Sequence, residues 1–199
     1  MTPLEVSLAR VRLRERVDSL ANDVRQCFCA CAGPAAPTVA YFPAVMYCFA
    51  TLDYFASHRF GTAASKGQTQ RMTSYLVDYF AYGQIESYLA VNIWRHKLMH
   101  TSEPRKVRDR DTGTVFGWRI DPGPCGHMAL TPEGAVTMLT FNPLTFCEHL
   151  ETAVFGPNGY FLRLEEGAEL QANYCACRDE LDGYEVDTSK AAQPPNQLR

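Results

Sequence analysis

The residues whose types and spacing best suit chemistry lie together in the segment Asn92–His100, which reads NIWRHKLMH. Arg95 and His100 supply a guanidinium and an imidazole, and Asn92 and His96 add polar groups beside them. An imidazole that titrates near neutral pH can take a proton from a ribose 2′-hydroxyl or give one to a leaving oxygen. A guanidinium can hold a phosphate and the extra charge of its transition state. The segment therefore suits cleavage of an RNA phosphodiester, with Arg95 and His100 as catalytic residues and no metal or cofactor.

A helix that carries this segment must also bring its polar groups together. On an ideal α-helix Asn92, His96 and His100 form one row, because residues four apart lie on the same face. Arg95 and His100, however, are about 140° apart on such a helix. We expect long side chains, fraying of the last turn, or two copies of the helix paired across a two-fold axis to narrow that gap.

The pattern Arg95-His96-Lys97-Leu98-Met99-His100 resembles the Arg-(polar)-x-x-x-His motif of the HEPN superfamily. The resemblance covers roughly residues 38–101. It implies a helical bundle that dimerises and acts as a metal-independent RNase in toxin, antiviral or RNA-processing systems. It gives Arg95 and His100 the catalytic positions and His96 the polar position beside the arginine. Some HEPN domains lack activity, so a second hypothesis is an inactive module that binds a nucleotide, an RNA or a partner protein.

Ordinary structural roles compete with these functional ones. Arg95 can form an ion pair with Asp53, Asp78 or Glu86, and histidines at a helix end are favoured by the helix dipole. Asp53 interrupts the apolar stripe of its predicted helix. It can orient the site as a partner of Arg95 or a histidine, neutralise a buried cation, or face solvent. His127, in turn, is expected to be an isolated, ordinary histidine, and so is His149.

The charge of the chain sets limits on its partners. The formal net charge is −3 over 199 residues, so no general electrostatic attraction to nucleic acid exists. The basic run at residues 105–110 follows the motif, but acidic residues are interleaved with it, which is typical of a solvated connector. No apolar stretch long enough to span a membrane and no signal-peptide core are present, so we expect a cytoplasmic protein away from membranes.

The eight cysteines form two clusters and three single positions. The clusters are Cys27, Cys29 and Cys31, and Cys175 and Cys177. Neighbours two apart on a helix point to opposite faces, and no Cys-x-x-Cys pattern is present. We therefore expect reduced core thiols. A zinc-stabilised structural protein is the third hypothesis.

Apolar periodicity and end signals predict a mainly α protein. Helices are expected over residues 2–31, 38–60, 68–80, 84–101, 143–155 and 160–181. Short β-type runs separated by Pro-Gly turn signals predict a small antiparallel β-meander at about 114–141, inserted before the C-terminal helices. Residues 1–181 are expected to form a single helical-bundle domain, and residues 182–199 a disordered tail.

Overall fold

The computed structural model describes residues 1–29, 41–98, 104, 106–123 and 126–183. Within these ranges the protein is mainly α, which confirms the predicted fold class. The helices are α1 (Pro3–Cys29), α2 (Tyr41–Phe60), α3 (Gln68–Phe80), α4 (Gln84–Ala90), which continues as a π-helical segment (Val91–Leu98), α5 (Pro143–Phe155), α6 (Tyr160–Glu166) and α7 (Ala168–Asp182). In the described part of the chain, no helix combines the length and the apolar composition needed to cross a membrane.

Helix α2 is the centre of the bundle. Its side chains Phe49, Leu52 and Phe55 are buried, as the wide apolar stripe predicts. It packs against α1, α3, α5, α7 and the π-helical segment. Because α2 carries few charges, nearly its whole circumference can be covered by other helices.

Local capping signals are confirmed at two helix starts. Thr2 and Glu5 form the expected capping box at α1: the Glu5 amide donates to Thr2 Oγ1 at 3.3 Å, and the Thr2 amide donates to the Glu5 carboxylate at 2.7 Å. At α5 the Asn142 side chain accepts from the amides of Leu144 and Thr145. These side chains satisfy amides that have no partner within the helix.

The strands form a four-stranded mixed sheet, so the predicted antiparallel meander is wrong in its topology. The strands are β1 (Val107–Arg108), β2 (Val115–Ile120), β3 (Leu130–Glu133) and β4 (Val136–Phe141), in the order β1-β2-β4-β3. A tight turn at Gly134, where φ is +61°, joins β3 to β4 in antiparallel fashion. The connection after β2 passes to the far side of β4, which leaves β2 and β4 parallel.

Aromatic side chains join this sheet to the helices. Phe141 in β4 packs against Phe49 in α2 at 5.4 Å between ring centroids and against Phe146 in α5 at 5.6 Å. Trp118 in β2 contacts Trp94 in the π-helical segment at 5.3 Å. The sheet therefore holds in place the segment that carries Arg95.

The C-terminal region differs from the predicted single helix. Gly167 has extended backbone angles (φ −106°, ψ 109°), which are not helical. It therefore ends α6 and caps the start of α7. The helix α7 ends at Asp182, one residue beyond the predicted end. The rest of the predicted tail, residues 184–199, lies outside the described residues, as do the predicted ends of two helices at residues 30–31 and 99–101.

Candidate functional site

The helix that carries the motif changes its hydrogen-bond pattern where the motif begins. From Val91 to Leu98 it is π-helical, with bonds that span five residues instead of four. The Asn92 side chain donates to the carbonyl of Tyr88 at 2.8 Å. In an α-helix that carbonyl accepts the backbone amide of residue 92, so the side chain competes for the acceptor and favours the longer pattern. Wide turns of this kind occur frequently at functional sites.

Arg95 lies on this widened turn, next to the buried Trp94. Trp94 is fully buried, whereas Arg95 stays partly exposed. No carboxylate of the described residues lies within 4.0 Å of its guanidinium. Asp78, one of its expected partners, pairs instead with Arg59 at 2.6 Å. The Arg95 guanidinium is therefore not locked in an ion pair within the described part of the chain.

Asp53 is the acidic group whose titration Arg95 influences. Burial raises the pKa of Asp53, and the positive charge of Arg95 is the largest influence that opposes the rise. The Gln68 side chain donates a hydrogen bond to the Asp53 carboxylate, and the charge of Arg71 also lowers its pKa. The second carboxylate oxygen of Asp53 is buried without a hydrogen-bond partner among the described residues. The charges of two arginines thus act on Asp53, which does not simply face solvent.

Arg71 is a buried cation that the sequence analysis did not single out. It is 8% exposed, and its guanidinium donates to the carbonyls of Ala64 and Lys66, the latter at 2.8 Å. These bonds fold the loop before α3 back onto the helix. The sequence signal for a buried arginine was its position within the apolar pattern of α3. An arginine in such a position is expected to find acceptors for its donors, as Arg71 does in the two carbonyls.

The other predicted site residues are only partly covered. Asn92 is half-buried and uses its amide on the helix backbone. The side chain of His96 lies outside the described residues, and so does the whole of His100. The structure therefore relates Arg95 to Asp53 and Asn92 but gives no distance between Arg95 and His100.

A second polar cluster joins two histidines that were expected to be isolated. The hydroxyl of Tyr82, in the turn between α3 and α4, lies 2.8 Å from His127 Nε2 and 2.7 Å from His149 Nδ1. His127 belongs to the connection between β2 and β3, and His149 to α5. We call these three residues the Tyr82 cluster. Their separation by 22 or more positions explains why no local pattern revealed them.

Hydrogen-bond directions fix the protonation of the Tyr82 cluster. The backbone amide of Asn142 donates to His127 Nδ1 at 2.9 Å, so His127 is neutral and carries its proton on Nε2. That Nε2–H donates to the Tyr82 oxygen, which leaves the Tyr82 hydroxyl to donate to His149 Nδ1. His149 is then neutral and presents Nε2–H on its exposed side. Because the chain of bonds ends on a backbone amide, it orients His149 and cannot pass a proton onward.

The pKa directions agree with these neutral forms. Burial, with a smaller contribution from His149, lowers the pKa of His127 to about 3. Burial also lowers the pKa of His149, while the neighbouring Glu148 opposes the change. The arrangement therefore favours hydrogen-bond donation by neutral His149 over proton transfer by a charged histidine.

Cys48, Cys147, Cys175 and Cys177 form no disulfide with any described residue. Burial raises the pKa of Cys48, and it raises that of Cys177 to about 11, so neither is an activated nucleophile. No group of three or more His, Cys, Asp or Glu side chains in the described ranges is arranged to hold a metal ion. The side chain of Cys29 and all of Cys31 lie outside those ranges, so the first cysteine cluster is only partly covered.

Comparisons with known proteins identify no relative of this chain. No family model matches the chain, and neither the curated proteins nor the solved structures contain a match. The functional interpretation therefore rests on the residues themselves and on the geometry around Arg95, Asp53 and the Tyr82 cluster.

Proposed function

We propose that the protein is a HEPN-type, metal-independent endoribonuclease that cleaves RNA phosphodiesters. Arg95 and His100 are its catalytic residues, and His96, Asn92 and Asp53 orient them or contact the substrate. The proposal extends to a homodimer in which both motifs face one cleft, and to a role in toxin or defence systems.

The observation that carries the proposal is the π-helical turn at Arg95. Residues five apart, such as Arg95 and His100, are about 140° apart on an α-helix. A turn closed by bonds that span five residues brings such positions closer to one face. The partly exposed Arg95 lies on a turn of this kind, with no described carboxylate bound to it. This geometry supports the motif, because the wider turn that begins before Arg95 favours convergence of the two groups, and His100 itself lies outside the described residues.

The proposed reaction uses the 2′-hydroxyl of the substrate as its nucleophile. His100 takes the 2′-proton as the 2′-oxygen attacks phosphorus, and the bond to the 5′-oxygen breaks. The leaving oxygen receives a proton from the imidazolium or from water, which gives a 2′,3′-cyclic phosphate and a 5′-hydroxyl. Arg95 binds the non-bridging oxygens, whose negative charge increases in the transition state. The charge of Asp53 attracts the Arg95 guanidinium and offsets part of the positive charge of the site.

The first prediction compares wild type with His100→Ala and Arg95→Ala on single-stranded and structured RNA in EDTA. We expect each variant to lose activity by about 10²-fold or more, because a positioned acid–base group and a group that stabilises transition-state charge each contribute this much. Product ends should be 2′,3′-cyclic phosphate and 5′-hydroxyl. Arg110→Ala is the matched control, since Arg110 is an exposed arginine of the connector, and it should retain activity. Equal cleavage by wild type and His100→Ala would identify a contaminating nuclease and remove the enzyme proposal.

A second candidate is an inactive module that binds RNA, a nucleotide or a partner protein at the same patch. It is favoured by one observation: the carboxylate of Asp53 already balances part of the Arg95 charge. Binding of labelled RNA without cleavage, weakened in Arg95→Ala and unchanged in Arg110→Ala, would select this candidate over the nuclease.

A further inference from the structure

A cavity of 580 Å³ lies between α1, α2 and α7, away from the π-helical segment. Arg12 and Arg16 of α1 form one wall, and Arg178 of α7 lies opposite. Its floor contains His58 and Tyr174, each only 2% exposed. A volume in this range fits a small organic ligand and is larger than a bare inorganic anion needs.

The two arginines of α1 have the arrangement of an anion site. Arg12 and Arg16 are four residues apart, so their like charges lie on neighbouring turns and repel. Neither has a carboxylate within 4.0 Å among the described residues, whereas Arg178 bonds to Asp179 at 2.7 Å. The guanidinium of Arg16 lies over the Tyr54 ring, 4.7 Å from its centroid. An anion between the two guanidinium groups would relieve the repulsion.

The floor of the cavity offers one donor and one acceptor. The Tyr174 hydroxyl is buried, and the Arg12 guanidinium beside it lowers its pKa by charge and hydrogen bonding, against the larger effect of burial. The hydroxyl proton has no acceptor among the described residues. His58 Nδ1 donates to the carbonyl of Tyr54 at 2.9 Å, so the neutral ring keeps Nε2 as an acceptor. Burial lowers the pKa of His58, and the charges of Arg16 and Arg12 lower it further. Both arginines therefore act electrostatically on the floor of the cavity.

Two carboxylates, those of Glu15 and Asp182, also line the cavity. Both residues are exposed, as Arg12 and Arg16 are, so water screens all four charges alike, and Asp182 opposes the effect of the arginines on the pKa of His58. The three arginines of the lining outnumber its two carboxylates. The buried floor of the cavity consists of His58 and Tyr174, which carry no negative charge. The mixture of donors, an acceptor and apolar ring surface suits a ligand with both an anionic and a hydroxyl-bearing part.

We propose that this cavity binds a small sugar phosphate or phosphorylated polyol. Arg12 and Arg16 hold the phosphoryl oxygens, and the Tyr174 hydroxyl donates a further hydrogen bond to the ligand. A ligand hydroxyl donates to His58 Nε2. The site uses none of the residues assigned to RNA cleavage, so it is independent of the nuclease proposal.

Calorimetric titration of the full chain tests this second prediction with three probes: ribose 5-phosphate, inorganic phosphate and ribose. We expect ribose 5-phosphate to bind with 1:1 stoichiometry and more tightly than inorganic phosphate, and ribose alone not to bind. The double variant Arg12→Gln, Arg16→Gln should weaken binding by about 100-fold or more, because each lost charged hydrogen bond is worth roughly tenfold. Ligand addition should also shift the His58 imidazole signals in NMR spectra.

Arg25→Gln is the matched control, because it removes the same charge from an exposed position of α1 outside the cavity. It should bind like wild type, while Tyr174→Phe, which keeps the ring, should weaken binding. Equal weakening in Arg25→Gln and the double variant would indicate a general charge effect and overturn the site. No binding of ribose 5-phosphate to wild type would overturn it as well. Equal affinity for inorganic phosphate would overturn the assignment of a sugar phosphate.

Discussion

At the scale of single residues, Tyr82 has the clearest structural role. One hydroxyl connects two histidines from distant parts of the chain, and the direction of each bond follows from the Asn142 amide. Protonation of His149 at Nδ1 would place two donors against the Tyr82 hydroxyl and leave its proton without an acceptor. The hydrogen bonds therefore resist charging of His149, in addition to the effect of burial.

The third prediction follows from this role of Tyr82. Tyr82→Phe removes a hydrogen bond that stabilises neutral His149, so the pKa of His149 should rise. The free energy of unfolding should fall by about 1–3 kcal/mol, because His127 Nε2–H loses its acceptor inside the protein. NMR titration of the imidazole protons and urea unfolding measure the two effects.

Tyr79→Phe is a suitable control for that experiment, because Tyr79 lies three residues earlier, in the last turn of α3, and outside the Tyr82 cluster. The pKa of His149 should be the same in this control as in wild type. An unchanged pKa in Tyr82→Phe would mean that the hydroxyl does not set the protonation of His149.

Residue-level prediction from the sequence succeeded where the signal was local. The Thr2–Glu5 capping box and the Asn142 cap follow from neighbouring residue types. The Tyr82–His149 contact spans 67 positions, and no spacing rule connects residues so far apart. The sequence left the relation of Asp53 to Arg95 as one of several alternatives. Packing of α2 against the π-helical segment brings the Arg95 charge close enough to lower the pKa of Asp53.

At the scale of elements, α3 ends in a strained backbone conformation that should lower the free energy of unfolding. Ala81 adopts the left-handed conformation (φ 56°, ψ 30°), and its amide returns to the Leu76 carbonyl. A side chain at such angles is unfavourable, and glycine usually takes this position at a helix end. Ala81 directly precedes Tyr82, whose hydroxyl contacts the two histidines.

The fourth prediction tests that cost. Ala81→Gly should raise the free energy of unfolding by about 1 kcal/mol and raise Tm, because glycine adopts these angles without steric strain. Gly67→Ala is the opposite control: Gly67 has φ +76°, and the nearest atom to an added Cβ is 3.7 Å away, so the change tests backbone angles alone. It should lower Tm, and a decrease in Ala81→Gly would contradict the explanation.

Helix positions were largely predictable, while two other features were not. The bounds of α3 match the predicted 68–80, because two glycines, Gly67 and Gly83, enclose the amphipathic run. The π-helical segment depends on which carbonyl the Asn92 side chain occupies, which periodicity does not reveal. The parallel pairing of β2 with β4 depends on the path of the connection, and turn residues indicate only that the chain reverses.

At the scale of the whole molecule, buried neutral histidines tie stability to pH. The pKa values of His58, His127 and His149 all lie below the unfolded value of 6.5. Below about pH 6.5 the unfolded chain therefore binds more protons than the folded protein, and stability falls as the pH falls. For His127 the fall continues toward its folded pKa of about 3. Asp53, whose pKa is raised, acts in the opposite direction near the lower end of this range.

The fifth prediction is a decrease in the free energy of unfolding between pH 7.5 and pH 5. Each histidine that stays neutral only in the folded state contributes up to about 1.4 kcal/mol per pH unit below pH 6.5. Urea titrations at the two pH values measure the decrease. His127→Gln should lower stability at pH 7.5 and reduce the decrease between the two values. The same decrease in the variant and in wild type would show that other groups cause it.

The parallel pairing of β2 and β4 has a consequence for the order in which the protein folds. The hairpin of β3 and β4 needs only the Gly134 turn, so it can form from neighbouring residues. The register that matches Val115 to Val136 joins β2 to a strand that follows β3 in the chain, and we expect it, like the contacts of His127, to form after the hairpin. We therefore expect closure of the sheet and assembly of the Tyr82 cluster to be one late, non-local event in folding.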